Sequence, residues 1–176
     1  MSPAPPSNAK LNVIPAEERL IAALDGMTET QALAYVRQLT PTVRVFKVGL
    51  ELFLSAGMDV VDRIGQSGAQ VMLDLKLLDI PETVTRALKV MLRHADAITL
   101  ATLHGFNRAL PEIADTPGRE KVKLLVITSL TSMDASDLKA LGIGLRTDEY
   151  VVAMARRGRE AGCDGAVCSG QEAAMV

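Results

Sequence analysis

Short apolar runs alternate with amphipathic stretches along most of the chain. The runs are rich in aliphatic and β-branched residues and have the length of buried strands. In each stretch that follows, apolar residues recur at helical spacing. The predicted strands cover residues 19–25, 43–48, 70–76, 97–100, 122–128 and 165–168, and the predicted helices cover 29–39, 50–64, 82–93, 107–114, 135–141 and 147–161, with a further helical start at Gln171. Nearly continuous apolar strands that alternate with helices are typical of a parallel sheet covered by helices.

Two α/β architectures satisfy this alternation, namely a β/α-barrel and an open doubly wound sheet. An eight-stranded barrel typically needs about 250 residues, so six strand–helix units fit a flavodoxin-like open sheet better on length alone. No linker divides the chain. We therefore expect a flexible Pro-rich arm over residues 1–12 and a single domain over residues 13–176.

Composition narrows the class of protein. The chain has 176 residues of which 48% are hydrophobic, which excludes a disordered chain and allows one sizeable core. Aromatic residues make up only 3%, so that core must be aliphatic. A net charge of −2 argues against a nucleic-acid partner, because binding phosphates needs a concentrated basic surface. No apolar run approaches the roughly 18 residues of a membrane span, and the N-terminus does not resemble a secretory signal.

The positions of the two cysteines indicate in which cellular compartment the protein is expected. Cys163 and Cys168 are five positions apart in what the pattern predicts as one strand, which places them on opposite faces. Neither a shared metal nor a mutual disulfide is therefore expected. Buried, reduced thiols of a cytoplasmic protein are the favoured interpretation.

Polar residues cluster where the predicted strands end. In parallel α/β architectures the carboxyl ends of the strands form one edge, and active sites are built on that edge. The residues concerned are Asp25 after the first strand, Lys47 near the end of the second, Asp74 and Lys76 at the end of the third, Asp79 just beyond it, and Ser129 and Thr131 after the fifth.

The third predicted strand is the most informative. Asp74 and Lys76 are two apart, so both side chains should lie on one face and pair with each other. One interpretation is a structural ion pair with a solvated Asp79. The spacing Asp-x-Lys-x-x-Asp, with Lys47 on the neighbouring strand, instead favours a charge array for chemistry that creates a carbanion, since a lysine supplies a cation and then a proton.

The segment Leu73-Asp-Leu-Lys-Leu-Leu-Asp-Ile-Pro-Glu-Thr83 resembles the signature of the orotidine 5′-phosphate decarboxylase family. Further pieces fall in the family's order and spacing: Leu24-Asp25, Phe46-Lys-Val-Gly49, Leu130-Thr-Ser-Met-Asp134 and Cys168-Ser-Gly-Gln-Glu172. The resemblance covers essentially everything after the N-terminal arm. It implies a TIM (β/α)8-type barrel, usually a homodimer, that converts orotidine 5′-monophosphate to UMP and CO₂ without a metal or other cofactor.

The resemblance also implies residue roles. Lys76 would be the general acid that protonates C6 of the pyrimidine, and Asp74 would sit beside the substrate carboxylate. The remaining roles follow the motifs: Asp25 and Lys47 contact ribose hydroxyls and complete the charge network, Asp79, Ile80 and Thr83 reach into the partner subunit's site, and Thr131 lies near the base.

Two departures from the family's pattern limit these expectations. After the fourth strand the family commonly has a Val-His-Ala-like segment, whereas this chain has Leu100-Ala-Thr-Leu-His-Gly105. We assign no role to His104, which we expect in a loop, and we expect His94 to cap a helix C-terminus. The sequence also reaches Val176 with about the first six units only. The segments that grip the substrate phosphate belong to later units, so we expect a truncated barrel that is a poor or inactive catalyst by itself.

Two alternatives stay open, and a third is disfavoured. Hexulose-phosphate synthases and ketogulonate-phosphate decarboxylases of the same superfamily share Asp-x-Lys-x-x-Asp but use a divalent metal, although Ile80-Pro81 and Thr83 favour the orotidylate branch. A non-catalytic barrel fragment with a relic charge array is the second. A nucleotide-cofactor protein is disfavoured, since no Gly-x-Gly-x-x-Gly follows a strand and Gly142-Ile-Gly144 follows a helix.

Overall fold

The computed structural model describes residues 14–104 and 110–176, which contain one six-stranded parallel sheet. Each strand pairs with its neighbours in sequence, so the spatial order is β1-β2-β3-β4-β5-β6. The strands are Ile21–Ala23 (β1), Val45–Gly49 (β2), Gln70–Leu77 (β3), Ile98–His104 (β4), Lys123–Ile127 (β5) and Gly165–Val167 (β6).

This strand order decides between the two predicted architectures. A doubly wound sheet reverses its strand order at a switch point, whereas a barrel adds each strand beside the last. The six described strands run in sequence without a reversal. The flavodoxin-like alternative is therefore wrong, and the fold is the predicted barrel type, of which these residues form a six-stranded part.

Local sequence signals explain where the helices begin and end. Thr28 and Gln31 form a reciprocal capping box at the first helix, and Pro81 occupies the first turn of the third. The last helix ends at Gly162, whose φ of 97° suits a residue without a Cβ. The helices are Glu29–Leu39 (α1), Leu50–Gln66 (α2), Pro81–Met91 (α3), Leu110–Ile113 (α4), Ala135–Ala140 (α5) and Thr147–Ala161 (α6).

The core is aliphatic, as the low aromatic content predicts. Its main cluster joins strands β2–β5 to the apolar faces of helices α1–α4, with Phe46 as the one fully buried aromatic ring among the described residues. Side chains alternate across β2, so Phe46 and Val48 join this cluster while Lys47 faces the other side of the sheet and is half-buried. The core therefore holds β2 rigidly beneath a charged side chain.

Several local expectations need correction. β6 is only Gly165–Val167, so both cysteines flank the strand instead of belonging to it. They are half-buried and unbonded, and burial raises the pKa of the Cys163 thiol to about 11. Residues 170–175 form turns and not the helix expected from Gln171. The predicted arm over residues 1–12, and positions 107–109 of the predicted fourth helix, lie outside the described residues.

The two histidines are also placed differently from expectation. His104 is the last residue of β4, so it is not a loop residue, and burial lowers its pKa. His94 lies in a short 3-10 turn after α3, where its Nδ1 is 2.8 Å from Oδ1 of Asp62 in α2. The structure therefore gives His94 a contact with another helix in place of the predicted cap.

None of the helices in the described ranges is long and apolar enough to cross a membrane.

Candidate active site

Four charged residues form a line across the carboxyl ends of β1, β2 and β3. Lys47 Nζ lies 2.5 Å from Oδ2 of Asp25, which follows β1, and 3.7 Å from Oδ2 of Asp74 in β3. Lys76 Nζ lies 2.7 Å from the same Asp74 oxygen. Charges of opposite sign therefore alternate from Asp25 to Lys76, and we call these four residues the charge array.

Gly49 makes the first half of the charge array possible. It pairs with Asp74 in the parallel register of β2 and β3. A Cβ at this position would lie 2.4 Å from Oδ1 of Asp25 and 3.4 Å from Nζ of Lys47. The absence of a side chain thus leaves room for the Asp25–Lys47 ion pair.

A β-bulge shapes the second half. Leu73 pairs with Ala101 of β4, and the next pair is Leu77 with Leu103. Three residues of β3, Asp74 to Lys76, therefore lie opposite the single residue Thr102 of β4. Lys76 has a φ of 49°, the left-handed conformation that non-glycine residues rarely adopt. Such a bulge re-aims side chains, and here it accompanies the Lys76–Asp74 contact.

Thr102 is the polar partner at the centre of this bulge. Its hydroxyl donates to Oδ1 of Asp74 at 2.8 Å and accepts the backbone N–H of Lys76 at 3.0 Å. Its relative exposure is 1%. Both oxygens of Asp74 are therefore occupied, one by Thr102 and the other by lysine.

The environment of Asp74 keeps it ionised. Burial by itself raises the pKa of this carboxyl group. Hydrogen bonds from Lys76 and Thr102, together with the charges of Lys76 and Lys47, outweigh burial and hold the pKa of Asp74 below its usual value. At neutral pH Asp74 is therefore a carboxylate, which faces the side chains of both Lys76 and Lys47.

The other residues expected at the site form no hydrogen bond or ion pair with the charge array within the described part of the chain. Asp79 is exposed in the loop after β3, where its Oδ1 accepts the backbone N–H of Ile80 at 2.6 Å. Ile80 is exposed, and Thr83 is half-buried in the first turn of α3. Within the described part of the chain, Asp79 forms no ion pair with the array.

Thr131 lies in a separate cleft after β5. The cleft has a volume of about 200 Å³ at the carboxyl ends of β5 and β6. Its polar lining consists of the hydroxyl residues Thr128, Ser129, Thr131, Thr147 and Ser169 together with Gln171 and Glu172. Such a surface can hydrogen-bond a polar heterocycle.

Sequence reasoning missed two residues of this site. Gly49 carried a usable signal, since a glycine at the end of an apolar strand, two residues after a lysine, suggests a close approach of another group. Thr102 carried none, because it lies in the segment where the family resemblance fails and its role depends on the bulge.

The sequence comparison assigns the family. The model of the orotidine 5′-phosphate decarboxylase / HUMPS family matches residues 18–176 of the chain. The chain belongs to this family. The match covers every strand and helix described above, including the charge array.

Two curated relatives are described as orotidine 5′-phosphate decarboxylase. The protein from Methylococcus capsulatus is 40% identical over 164 residues, which are 93% of this chain and 66% of that protein. The protein from Carboxydothermus hydrogenoformans is 39% identical over 165 residues, which are 90% of this chain and 69% of that protein. The chain thus spans about two thirds of the length of these relatives.

Solved structures show the same fold. An uncharacterized conserved protein from Geobacillus kaustophilus matches with a TM-score of 0.78 at 35% identity, covering 88% of this chain and 75% of that chain. Orotidine 5′-phosphate decarboxylase from Lactobacillus acidophilus matches with a TM-score of 0.77 at 33% identity, covering 87% of this chain and 72% of that chain. The six-stranded unit is therefore part of this family's barrel.

Proposed function

We propose that this chain carries the catalytic charge array for the decarboxylation of orotidine 5′-monophosphate to UMP and CO₂. The observation that carries the proposal is the Lys76 ammonium, 2.7 Å from the buried Asp74 carboxylate within an array that continues to Lys47 and Asp25. Relatives of the chain at 39–40% identity are described as this enzyme.

The array suits a reaction that leaves an electron pair on carbon. The bond between C6 of the pyrimidine and its carboxylate breaks, CO₂ departs, and the electron pair stays on C6. Lys76 then gives a proton to C6 and regains one from water. Lysine charges aimed at the developing negative charge stabilise it, and the contact with Asp74 holds the Lys76 ammonium in position until the proton moves.

The remaining residues fit roles in substrate binding. Asp25 and Lys47 stand at the exposed end of the array, where they would contact the ribose hydroxyls. Thr131 and the neighbouring hydroxyls of its cleft would contact the base. These roles require no cofactor, and the free thiols agree with the cytoplasmic location that we propose.

We further propose that the active enzyme is a homodimer with shared sites. Asp79 is exposed and flanked by Leu78 and Ile80, whose relative exposures are 65% and 63%. Exposed apolar side chains beside a charged one suit a protein interface better than free solvent. Asp79, Ile80 and Thr83 would then complete the partner subunit's site.

The metal-dependent sugar-phosphate lyases are the competing function. In the charge array an ammonium already lies between the two carboxylates, with Lys47 Nζ at 2.5 Å from Asp25 and 3.7 Å from Asp74. A divalent cation bound by both carboxylates would have to displace that ammonium. This donor set favours chemistry that relies on lysine charge.

The test is a decarboxylation assay with orotidine 5′-monophosphate. The assay uses the 176-residue chain and a fusion of the chain to the C-terminal third of the Methylococcus capsulatus relative. We expect turnover by the fusion that survives exhaustive treatment with EDTA. Lys76→Ala should reduce the turnover of the fusion by about 10²–10⁴-fold, the usual cost of losing a general acid. Lys89→Ala, on the exposed face of α3, is the control and should leave turnover unchanged.

Three outcomes would contradict the proposal. Turnover by Lys76→Ala within tenfold of the parent removes Lys76 from the mechanism. Loss of turnover in EDTA with recovery in Mg²⁺ assigns the chain to the metal-dependent lyases. Absence of both turnover and a thermal shift with UMP identifies a non-catalytic barrel, because a ligand that binds only the native state must stabilise it.

A further inference from the structure

The bulge in β3 leaves two groups that need a partner from β4. Regular pairing with β4 stops after Leu73 and resumes at Leu77, so the Lys76 N–H lies in the stretch where strand pairing is interrupted. Asp74 is 6% exposed and lies in the same stretch. An unpaired amide and an unpaired buried carboxylate oxygen would each be costly.

One hydroxyl satisfies both groups. Thr102 Oγ1 donates its proton to Asp74 Oδ1 at 2.8 Å, and it accepts the Lys76 N–H at 3.0 Å. The two bonds use the donor and one acceptor site of a single oxygen. Because the donor points to Asp74, the hydroxyl has a fixed orientation in which its lone pair faces Lys76.

We propose that Thr102 is a positioning residue of the charge array, fixing the Asp74 carboxylate and the Lys76 backbone together through one hydroxyl. The inference rests on the proposed function for its catalytic consequence. A left-handed backbone at a non-glycine residue such as Lys76 is strained and needs surrounding contacts to hold it. Thr102 supplies such a contact, and it is the contact that links the lysine conformation to its carboxylate partner.

The substitution Thr102→Val separates positioning from packing. Valine keeps the shape of threonine and removes the hydroxyl, whereas Thr102→Ser keeps the hydroxyl and removes the methyl group. Thr85→Val is the matched control, because Thr85 is also buried and its hydroxyl bonds Glu112 at 3.3 Å, away from the array.

The first readout requires no catalysis. We expect Thr102→Val to raise the pKa of Asp74, because a hydrogen bond to the ionised carboxylate is lost. NMR of the side-chain carboxyl carbon of Asp74 in the 176-residue chain measures this titration. Thr102→Ser should restore the parent titration and Thr85→Val should not alter it. An unchanged titration in a folded Thr102→Val variant overturns the inference, whatever the enzyme assays show.

The second readout is kinetic and uses the fusion described above. We expect Thr102→Val to reduce kcat by roughly 10–100-fold with little change in KM, since misplaced catalytic groups act on the transition state. Recovery by Thr102→Ser supports positioning by the hydroxyl, and no recovery overturns it. If the parent fusion itself has no turnover, the proposed function fails while the titration still decides the role of Thr102.

A measurement on the unmutated chain covers the case in which Thr102→Val does not fold. The Lys76 amide should exchange with solvent as slowly as paired strand amides, because it donates to a buried oxygen. Rapid exchange at Lys76 in the otherwise folded chain would contradict the bond on which the inference depends.

Discussion

At the scale of single residues, Asp74 shows how a buried charge can contribute to stability. Burial opposes its ionised form, yet four favourable interactions with Lys76, Thr102 and Lys47 lower its pKa overall. A carboxyl group whose pKa is lower in the folded than in the unfolded state stabilises the fold above its unfolded pKa of about 3.9. That contribution is lost as the pH falls through the lowered folded value.

This sign gives a prediction for acid stability. Asp74→Asn should lower the free energy of unfolding at pH 7, and the difference from the parent should narrow below about pH 4, where the unfolded-state carboxyl is protonated. Urea unfolding at pH 7 and at pH 3 measures it, with Asp59→Asn on the exposed surface of α2 as the control. An equal loss of stability at both pH values would show that charge is not the cause.

The residues of the site were predictable to different degrees. The sequence predicts the four residues of the charge array, because burying a charged side chain at the end of an apolar strand costs free energy unless the charge is paired. These residues are Asp25, Lys47, Asp74 and Lys76. The Asp74–Lys76 pair was expected from regular alternation, but it forms across a bulge with Lys76 at a φ of 49°. No pattern in a single sequence signals that bulge, so Thr102 stayed hidden.

At the scale of elements, the helices were placed better than the ends of the strands. α1 and α6 have the predicted bounds, since a capping box starts α1 and a left-handed glycine ends α6. β4 was expected to end at residue 100 and ends at His104, so the alternating residues Ala101 to His104 belong to the strand. The length of a strand depends on the strands with which it pairs, and the local sequence does not show which strands those are.

The packing of α6 against β5 gives an element-scale prediction. Gly158 is buried in α6, and a Cβ there would lie 2.3 Å from Cγ1 of Val126 in β5. Gly158→Ala should gain up to about 1 kcal/mol of helix propensity. It should nevertheless lower the free energy of unfolding, because overpacking in a rigid core typically costs about 1–3 kcal/mol.

Thermal or urea unfolding measures this effect, and Ala153→Gly on the exposed face of α6 is the matched control. The control should destabilise by about 1 kcal/mol through propensity alone. If Gly158→Ala instead stabilises the protein, the close approach of α6 to β5 is not present in solution.

At the scale of the whole molecule, strand order carried more information than chain length. Six units suggested an open sheet, whereas the sequential order of the described strands and the family match assign a barrel. Chain length favoured the wrong architecture because the number of strand–helix units does not determine the order of the strands in the sheet. The eleven-residue segment 73–83 predicted the family correctly, since it combines three charged residues at fixed spacing with the Ile-Pro and Thr that follow them.

The last prediction concerns the proposed shared sites. Asp79 is exposed beyond β3 and, among the described residues, forms no ion pair with the charge array of its own chain, which includes Lys76. In a two-fold dimer with shared sites, each subunit would lend Asp79 to its partner. Mixing inactive Lys76→Ala and Asp79→Ala fusions should then create one site with both defects and one intact site in every mixed dimer.

Random exchange makes about half of the dimers mixed, so about a quarter of all sites become intact by symmetry. Activity should rise from near zero toward about 25% of the parent value on that symmetry argument. Mixing Lys76→Ala with Asp74→Asn is the control and should restore nothing, because both residues belong to the same array and each site in a mixed dimer keeps one defect. If subunit exchange is shown independently and the first mixture also stays inactive, Asp79 acts within its own chain and the shared-site proposal is wrong.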